Sequence, residues 1–315
     1  MSVQDTLEAP TIDDLSIPQH TSANERPDVV LAHSAGGCSC GCGGKGDACS
    51  CGGTPAPSPP PSFVFALGTV AVRFPDPALE HELNALADML GIEGQANSTT
   101  RIYDILVTKE ARYIARQLCY IFSVEGQPIY VLKIRDASDL ELLIEAIKPR
   151  QQVDLSLVIG VRGPMAPREM CGGMELPIVV IDQLTSFKRD DLIARIPVPD
   201  ETDPDAFRDT VESVFDRLVQ ATDNVGATDA HRALNFVATR YAPLYAQVAA
   251  MERRGAQLSA VEVQVSGLSS TRKLMEVILV FQSRNNGFID KFFVRVDVTS
   301  EFPMIATHLQ PYFDR

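Results

Sequence analysis

Residues 119–134 read Cys119-Tyr-Ile-Phe-Ser-Val-Glu-Gly-Gln-Pro-Ile-Tyr-Val-Leu-Lys-Ile134. Two runs rich in β-branched and aromatic residues, Cys119 to Val124 and Ile129 to Ile134, flank Glu-Gly-Gln-Pro. Gly126 and Pro128 supply turn geometry, so the spacing predicts an antiparallel hairpin. Upstream, residues 109–118 read as helical. Pro77 to Leu90 carries Leu79, Leu83, Leu86, Met89 and Leu90 as a helical stripe, and Phe63 to Phe74 reads as a strand ending at a proline. Downstream, Asp136 to Lys148 reads as a helix ended by Pro149. Leu155 to Val161 and Pro177 to Leu184 suit buried strands. The segment between them, 162–177, has three Pro and three Gly and is expected to form an irregular loop of functional length. Asp203 caps a helix with Pro204 at its first position, and Thr228 caps another that Pro243 should kink. Three runs close the chain as strands: Ala260 to Val265, Leu274 to Gln282 and Lys291 to Val298. Strands fall in clusters separated by helices, without regular βαβα alternation. The fold class this implies is α+β with mostly antiparallel strands and several packed helices.

The 315 residues hold 28 basic and 41 acidic side chains, a net charge of −13. That balance argues against nucleic acid or an anionic membrane as a partner, since both require a positive surface. No apolar run approaches the length that spans a bilayer. The averages conceal a division. All 21 aromatic residues lie from Phe63 onward, whereas five of the seven Cys fall between Cys38 and Cys51. Residues 1–62 carry seven acidic and two basic side chains and no aromatic residue. Such a segment buries too little apolar surface to offset its chain entropy, so a disordered acidic tail is expected. It lacks the basic and apolar regions of a secretory signal, which implies a reducing, cytoplasmic setting. Thr54 to Ser62, with five Pro, reads as a stiff spacer before the folded block.

Within the tail, Cys38, Cys40, Cys42, Cys49 and Cys51 are separated by Gly, Ser and Ala. Thiolates at this density in a reducing compartment suit a soft ion, Zn or Cu(I), although the spacing is not that of a zinc finger. The same composition also resembles the core of a ribosomally made precursor peptide whose cysteines are modified. An inert tail is the third reading. In the folded block the remaining thiols, Cys119 and Cys171, together with His231 in the first turn of its helix, would make a structural zinc site if they met in space. Cys171, between Met170 and Gly172, is also the candidate for a nucleophile of a transferase or hydrolase. No phosphate loop, dinucleotide fingerprint, His-Glu-x-x-His or Gly-x-Ser-x-Gly occurs. No cofactor site is expected beyond the candidate zinc, and no catalytic residue is assigned.

Several longer stretches share one resemblance: Phe65-Ala-Leu-Gly68, Arg116-Gln-Leu-Cys-Tyr-Ile-Phe122, Asp136 to Leu143, Val158 to Pro167 with Met170-Cys171, and Pro177-Ile-Val-Val-Ile-Asp-Gln183. Ala221 to Asn235, Phe292 to Val298 and Pro311-Tyr-Phe-Asp-Arg315 continue it. In this order they resemble the PatG C-terminal domain, a domain of unknown function that ends the subtilisin-like proteases PatA and PatG of cyanobactin biosynthesis. The resemblance covers 63–315 and implies a PatG-like N-terminal subdomain over 63–200 and a C-terminal one over 201–315, packed together. Leader cleavage and macrocyclisation belong to the family's separate protease domain. These residues contain no His-Gly-Thr or Gly-Thr-Ser-Met segment, so protease activity does not carry over. The resemblance implies a non-enzymatic accessory or recognition module. Its partners would be a precursor peptide, a subtilisin-like maturation protease, or a second copy in a homodimer. The alternative is a metal-binding protein that uses the tail thiolates.

Overall fold

A computed structural model describes residues 62–200, 202–220, 223–284 and 287–313. The chain begins there with β1 (Ser62–Arg73), in which every residue from Val64 to Gly68 is buried. β1 pairs antiparallel with β4 (Leu155–Met165) over Ser62 to Gly68, then with β2 (Cys119–Val124) over Thr69 to Arg73. Gly68 marks the exchange of partners. A Cβ there would lie 2.3 Å from the Ser123 carbonyl oxygen and 2.8 Å from the Phe122 ring, so only glycine lets the strands cross so closely.

β2 continues into β3 (Gln127–Ile134) through a turn of two residues, Glu125 at φ 49° and Gly126 at φ 79°. Two successive left-handed residues match the right-handed twist of the flanking strands. The hairpin is therefore tighter than its sequence suggests. Gln127 already pairs with Val124, and Pro128, expected in the turn, lies in β3 beside a register shift that accommodates its missing N–H. β3 pairs parallel with β5 (Pro177–Phe187), which returns antiparallel to β4, closing a five-stranded barrel in the order β1-β2-β3-β5-β4. β4 extends beyond its expected end to Met165, and Pro164 falls within the register shift between Arg162 and Met165. The irregular loop begins only at Ala166.

Helices fill the connections. Between β1 and β2 lie α1 (Pro77–Leu90), α2 (Thr99–Leu106) and α3 (Arg112–Gln117), and between β3 and β4 lies α4 (Leu140–Ala146). The order of strands, the parallel β3–β5 pair and a helix between β3 and β4 give the connectivity of an OB-type barrel, here with three helices inserted after β1. Alternate residues of all five strands, among them Val64, Phe122, Leu132, Val158 and Val179, join one buried cluster closed by Leu83 of α1, Ile105 of α2 and Ile144 of α4. This cluster is the barrel interior. α1 owes its start to Asp76, which accepts from the Leu79 N–H with Pro77 next in line, and its stop to Gly91 in the left-handed conformation.

After α5 (Arg189–Ala194) come α6 (Pro204–Val219), α7 (Asp229–Arg240) and α8 (Pro243–Arg253), then an antiparallel sheet of β6 (Ala256–Val265), β7 (Leu274–Ser283), β8 (Ile289–Asp297) and β9 (Met304–Pro311) in that order. The kink expected at Pro243 is a complete break. Tyr241 leaves helical geometry at φ −127° and ψ 80°, and α8 restarts with Pro243 in its first turn. A second buried cluster joins Phe65, Leu67 and Ile159 on the barrel's outside to Phe215 of α6, Val237 of α7 and Leu279 of β7. The protein is thus α+β with mostly antiparallel sheets.

The join is closest at Gly226 (φ 73°), whose carbonyl accepts from the Phe65 N–H at 3.0 Å. A Cβ at Gly226 would lie 2.5 Å from the Phe65 carbonyl oxygen and 2.6 Å from Ala66 Cα. Gly91 has a similar φ of 68° but nothing within 4 Å of its missing Cβ. Gly91→Ala should therefore cost about 1–2 kcal/mol, the left-handed penalty alone. Gly226→Ala should cost at least about 3 kcal/mol, because strain and a backbone clash add. Equal losses in urea denaturation would refute the close approach.

Candidate functional site

α7 is buried nearly all round, and that is unusual for a helix carrying Arg232, Asn235 and Thr239 at successive turns. With apolar neighbours on most sides, this polar stripe must be satisfied internally. Asn235 donates to the Phe65 carbonyl at 2.8 Å and exchanges side-chain amide hydrogen bonds with Asn224 at 2.7 and 3.1 Å. Thr239 Oγ1 donates to the Asn235 carbonyl at 2.7 Å. Arg232, 1% exposed, sends one guanidinium nitrogen to the Val298 carbonyl at 2.8 Å and the other to the carbonyls of Ser300 and Glu301. Its cation lies 5.3 Å from the Phe63 ring centroid, and Asp229 is its carboxylate partner at 3.4 Å. Burial lowers the Arg232 pKa and Asp229 opposes that shift. α7 therefore ties β1 to the turn after β8, although the Arg232 Nε is itself buried without a hydrogen-bond partner.

His231 lies beside this cluster. Its N–H is bonded to the Thr228 cap, and its Nδ1 is buried without a hydrogen-bond partner. Burial holds its pKa below the ordinary 6.5, with the Asp223 carboxylate pulling weakly the other way. Cys119 and Cys171, expected as isolated thiols, are joined in a disulfide with 5.5 Å between their Cα atoms. With that bond formed neither sulfur is a thiolate, so neither is a metal ligand or a nucleophile. The expected Cys119, Cys171 and His231 zinc set is accordingly not assembled. Among the described residues no group of three His, Cys, Asp or Glu is placed to hold a metal ion. Cys38, Cys40, Cys42, Cys49 and Cys51 lie outside the described residues.

On the outer face of the β6–β9 sheet, Ser266 donates to Glu276 at 2.8 Å, and Arg295 Nε reaches Glu276 at 2.8 Å and Ser266 at 3.1 Å. Burial would raise the Glu276 pKa, but hydrogen bonds from Arg295, Ser266 and Gln264 outweigh it and hold the carboxyl below its ordinary value. The Arg295 ion pair and the hydrogen bonds that lower the Glu276 pKa make its carboxylate a weak base toward Ser266. A cleft of about 200 Å³ opens where β1 changes partners, between Thr69, Asn97, Lys148, Arg150 and Ser156, and a broad groove of about 510 Å³ runs beside it past Gln152, Thr185 and Arg195. No His or Cys lines either one.

Residues 201–312, from α6 through β9, match the family model described as PatG C-terminal. Over those residues, about a third of its length, the chain is similar to that family. A solved structure titled "PatG Domain of Unknown Function" matches with a TM-score of 0.61 at 20% identity, covering 80% of this chain and 98% of that one. At that identity the likeness shows a shared fold, which takes in the barrel as well as the PatG C-terminal segment. No curated protein matches the sequence. Among the described residues, no helix is long and apolar enough to cross a membrane.

Sequence reasoning singled out His231 and Cys171 and passed over Arg232, Asn224 and Asn235. The available signal was a polar stripe on a helix with no solvent-facing side.

Replacing Arg232 with Met keeps the chain length but leaves three main-chain carbonyls without their donor. The expected loss is about 3 kcal/mol by urea unfolding, against less than about 0.5 kcal/mol for Arg208→Met on the exposed side of α6. His231 has a second measurable consequence. Its folded pKa lies below the unfolded one, so the unfolded chain binds more protons and stability falls as the pH drops below 6.5. The His231→Gln protein should lack this component, and parallel curves for the two proteins between pH 7 and 5 would contradict it.

Proposed function

We propose that this protein is a non-catalytic accessory module of cyanobactin-like peptide maturation, which recognises a precursor peptide or the maturation protease that processes it. The observation that carries the proposal is the PatG C-terminal match over 201–312, set on a fold that extends the likeness to PatG through the barrel. The polar groups support the non-catalytic part. Arg232, Asn224 and Asn235 bond to the main chain and to each other, Ser266 faces a carboxylate weakened as a base by its Arg295 ion pair, and the two folded-block cysteines are bonded together. A recognition module needs a stable surface and no activated nucleophile, and that is what these groups supply.

Titration calorimetry of the full chain against a precursor peptide, and separately against a subtilisin-like maturation protease from the same gene neighbourhood, should give saturable binding with at least one of them. Mass spectrometry should show the peptide unchanged after incubation with this protein alone. Absence of binding to both partners, or turnover of the peptide, would overturn the proposal.

A further inference from the structure

In barrels of OB connectivity the outer face of β2 and β3, together with the β1–β2 and β4–β5 connections, is the side that takes ligands. Here that face is apolar and covered. Cys119 and Ile121 of β2, Val131 of β3 and Ile178 of β5 form a small cluster of their own, and it is roofed by Ala166, Met170, Cys171, Met174 and Leu176 of the β4–β5 connection. The roof is a strap of the chain's own making. The Ala166 N–H bonds to the Leu176 carbonyl at 2.7 Å and pinches its base, while Met170 and Gly173 make turn bonds within it. An exposed ion pair, Arg168 with Glu175, bridges its two limbs. All of these polar contacts are internal to the strap. Its attachment to the barrel consists of apolar contact and one covalent bond, Cys171 to Cys119.

Cys171, Gly172 and Gly173 have φ of 58°, 64° and 85° in succession. The two glycines adopt the left-handed region freely, but a residue with a Cβ does not. Cys171 is also completely buried, and Cys119 is 3% exposed. A strap with glycine freedom on one side of its anchor and, among the described residues, no hydrogen bond to the surface beneath it opens readily once the anchor is cut.

We propose that the Cys119–Cys171 disulfide is a redox latch that keeps residues 166–176 closed over the outer face of β2, β3 and β5, and that reduction by a cellular dithiol opens the strap and uncovers this apolar face. One thiolate of the dithiol attacks a sulfur of the pair, forms a mixed disulfide and expels the other cysteine as a thiolate. The second thiol of the reductant then displaces the mixed disulfide. Two free cysteine thiols and one cyclic disulfide of the reductant result, with two electrons transferred. A small-molecule disulfide reverses the exchange and closes the strap. Opening changes access to Ile121, Val131 and Ile178 without disturbing the hydrogen bonds that close the barrel, since the strap contributes none of them.

Hydrogen exchange by mass spectrometry on the full chain tests this, with three samples: oxidised, treated with dithiothreitol, and Cys171→Ser. Alkylation of the treated sample should label both Cys119 and Cys171 while the protein remains folded. Peptides covering 166–176 should exchange at least about tenfold faster in the treated sample and in Cys171→Ser than in the oxidised one, with β6 to β9 unchanged. A strap whose exchange is unaltered after both cysteines are labelled would show that apolar contact alone holds it, and the latch would be refuted. Acceleration spread equally over β6 to β9 would assign the bond to global stability and refute it too, as would a disulfide that dithiothreitol leaves intact in the folded chain. Should Cys171→Ser fail to fold, the treated wild-type sample decides by itself.

Discussion

β1 is a strand with no solvent face over its central residues, and the two halves of the fold depend on that fact. Val64 and Ala66 enter the barrel interior, while Phe65 and Leu67 enter the core shared with α6, α7, α8 and the second sheet. Because side chains alternate at each residue, a slip of one position would place Phe65 where Ala66 now sits and would ruin both cores at once. The register is therefore fixed from two sides. Asn235 reaches the Phe65 carbonyl and Gly226 takes the Phe65 N–H, so the strand's main chain is also gripped at the residue where the two cores meet.

The polar interior follows from the same arrangement. A helix laid between a barrel and a sheet has little surface left for water, so most polar groups on α7 find partners in the protein, the Nδ1 of His231 and the Nε of Arg232 excepted. Arg232 finds main-chain carbonyls after β8, and Asn224 and Asn235 find each other. Such a network rigidifies the join. The disulfide strap differs, because among the described residues no hydrogen bond attaches it to the barrel.

Much of the fold was legible in the sequence because each signal was local. The apolar stripe of Leu79, Leu83, Leu86, Met89 and Leu90 marked α1 over Pro77 to Leu90, and Gly126 between two β-branched runs marked the hairpin. The barrel was not legible, since its closure depends on the pairing of Phe63 with Val161 and on the parallel register of Val131 with Ile178, neither of which leaves a local trace. Pro128 and Pro164 misled for one reason: a proline that looks like a turn signal can be absorbed at a bulge. Of the candidate site, sequence identified the unusual cysteines but not that Cys119 and Cys171, 52 residues apart, are bonded. It saw His231 but not its buried neighbour Arg232, because a charged residue on a helix ordinarily faces water.

The position of β1 also sets the order in which this chain can fold. Its hydrogen-bonding partners on one edge arrive about a hundred residues later in β4, and the Asn235 that grips Phe65 lies 170 residues away. During synthesis the Ser62–Gly68 half of β1 waits without its partner strand while α1 to α4 and the β2–β3 hairpin, which pairs with Thr69–Arg73, can form. A strand of that kind is prone to associate with others like it. The Ser62–Gly68 half of β1 is thus secured only after β4 and α7 have been made, well after Thr69–Arg73 has its partner in β2.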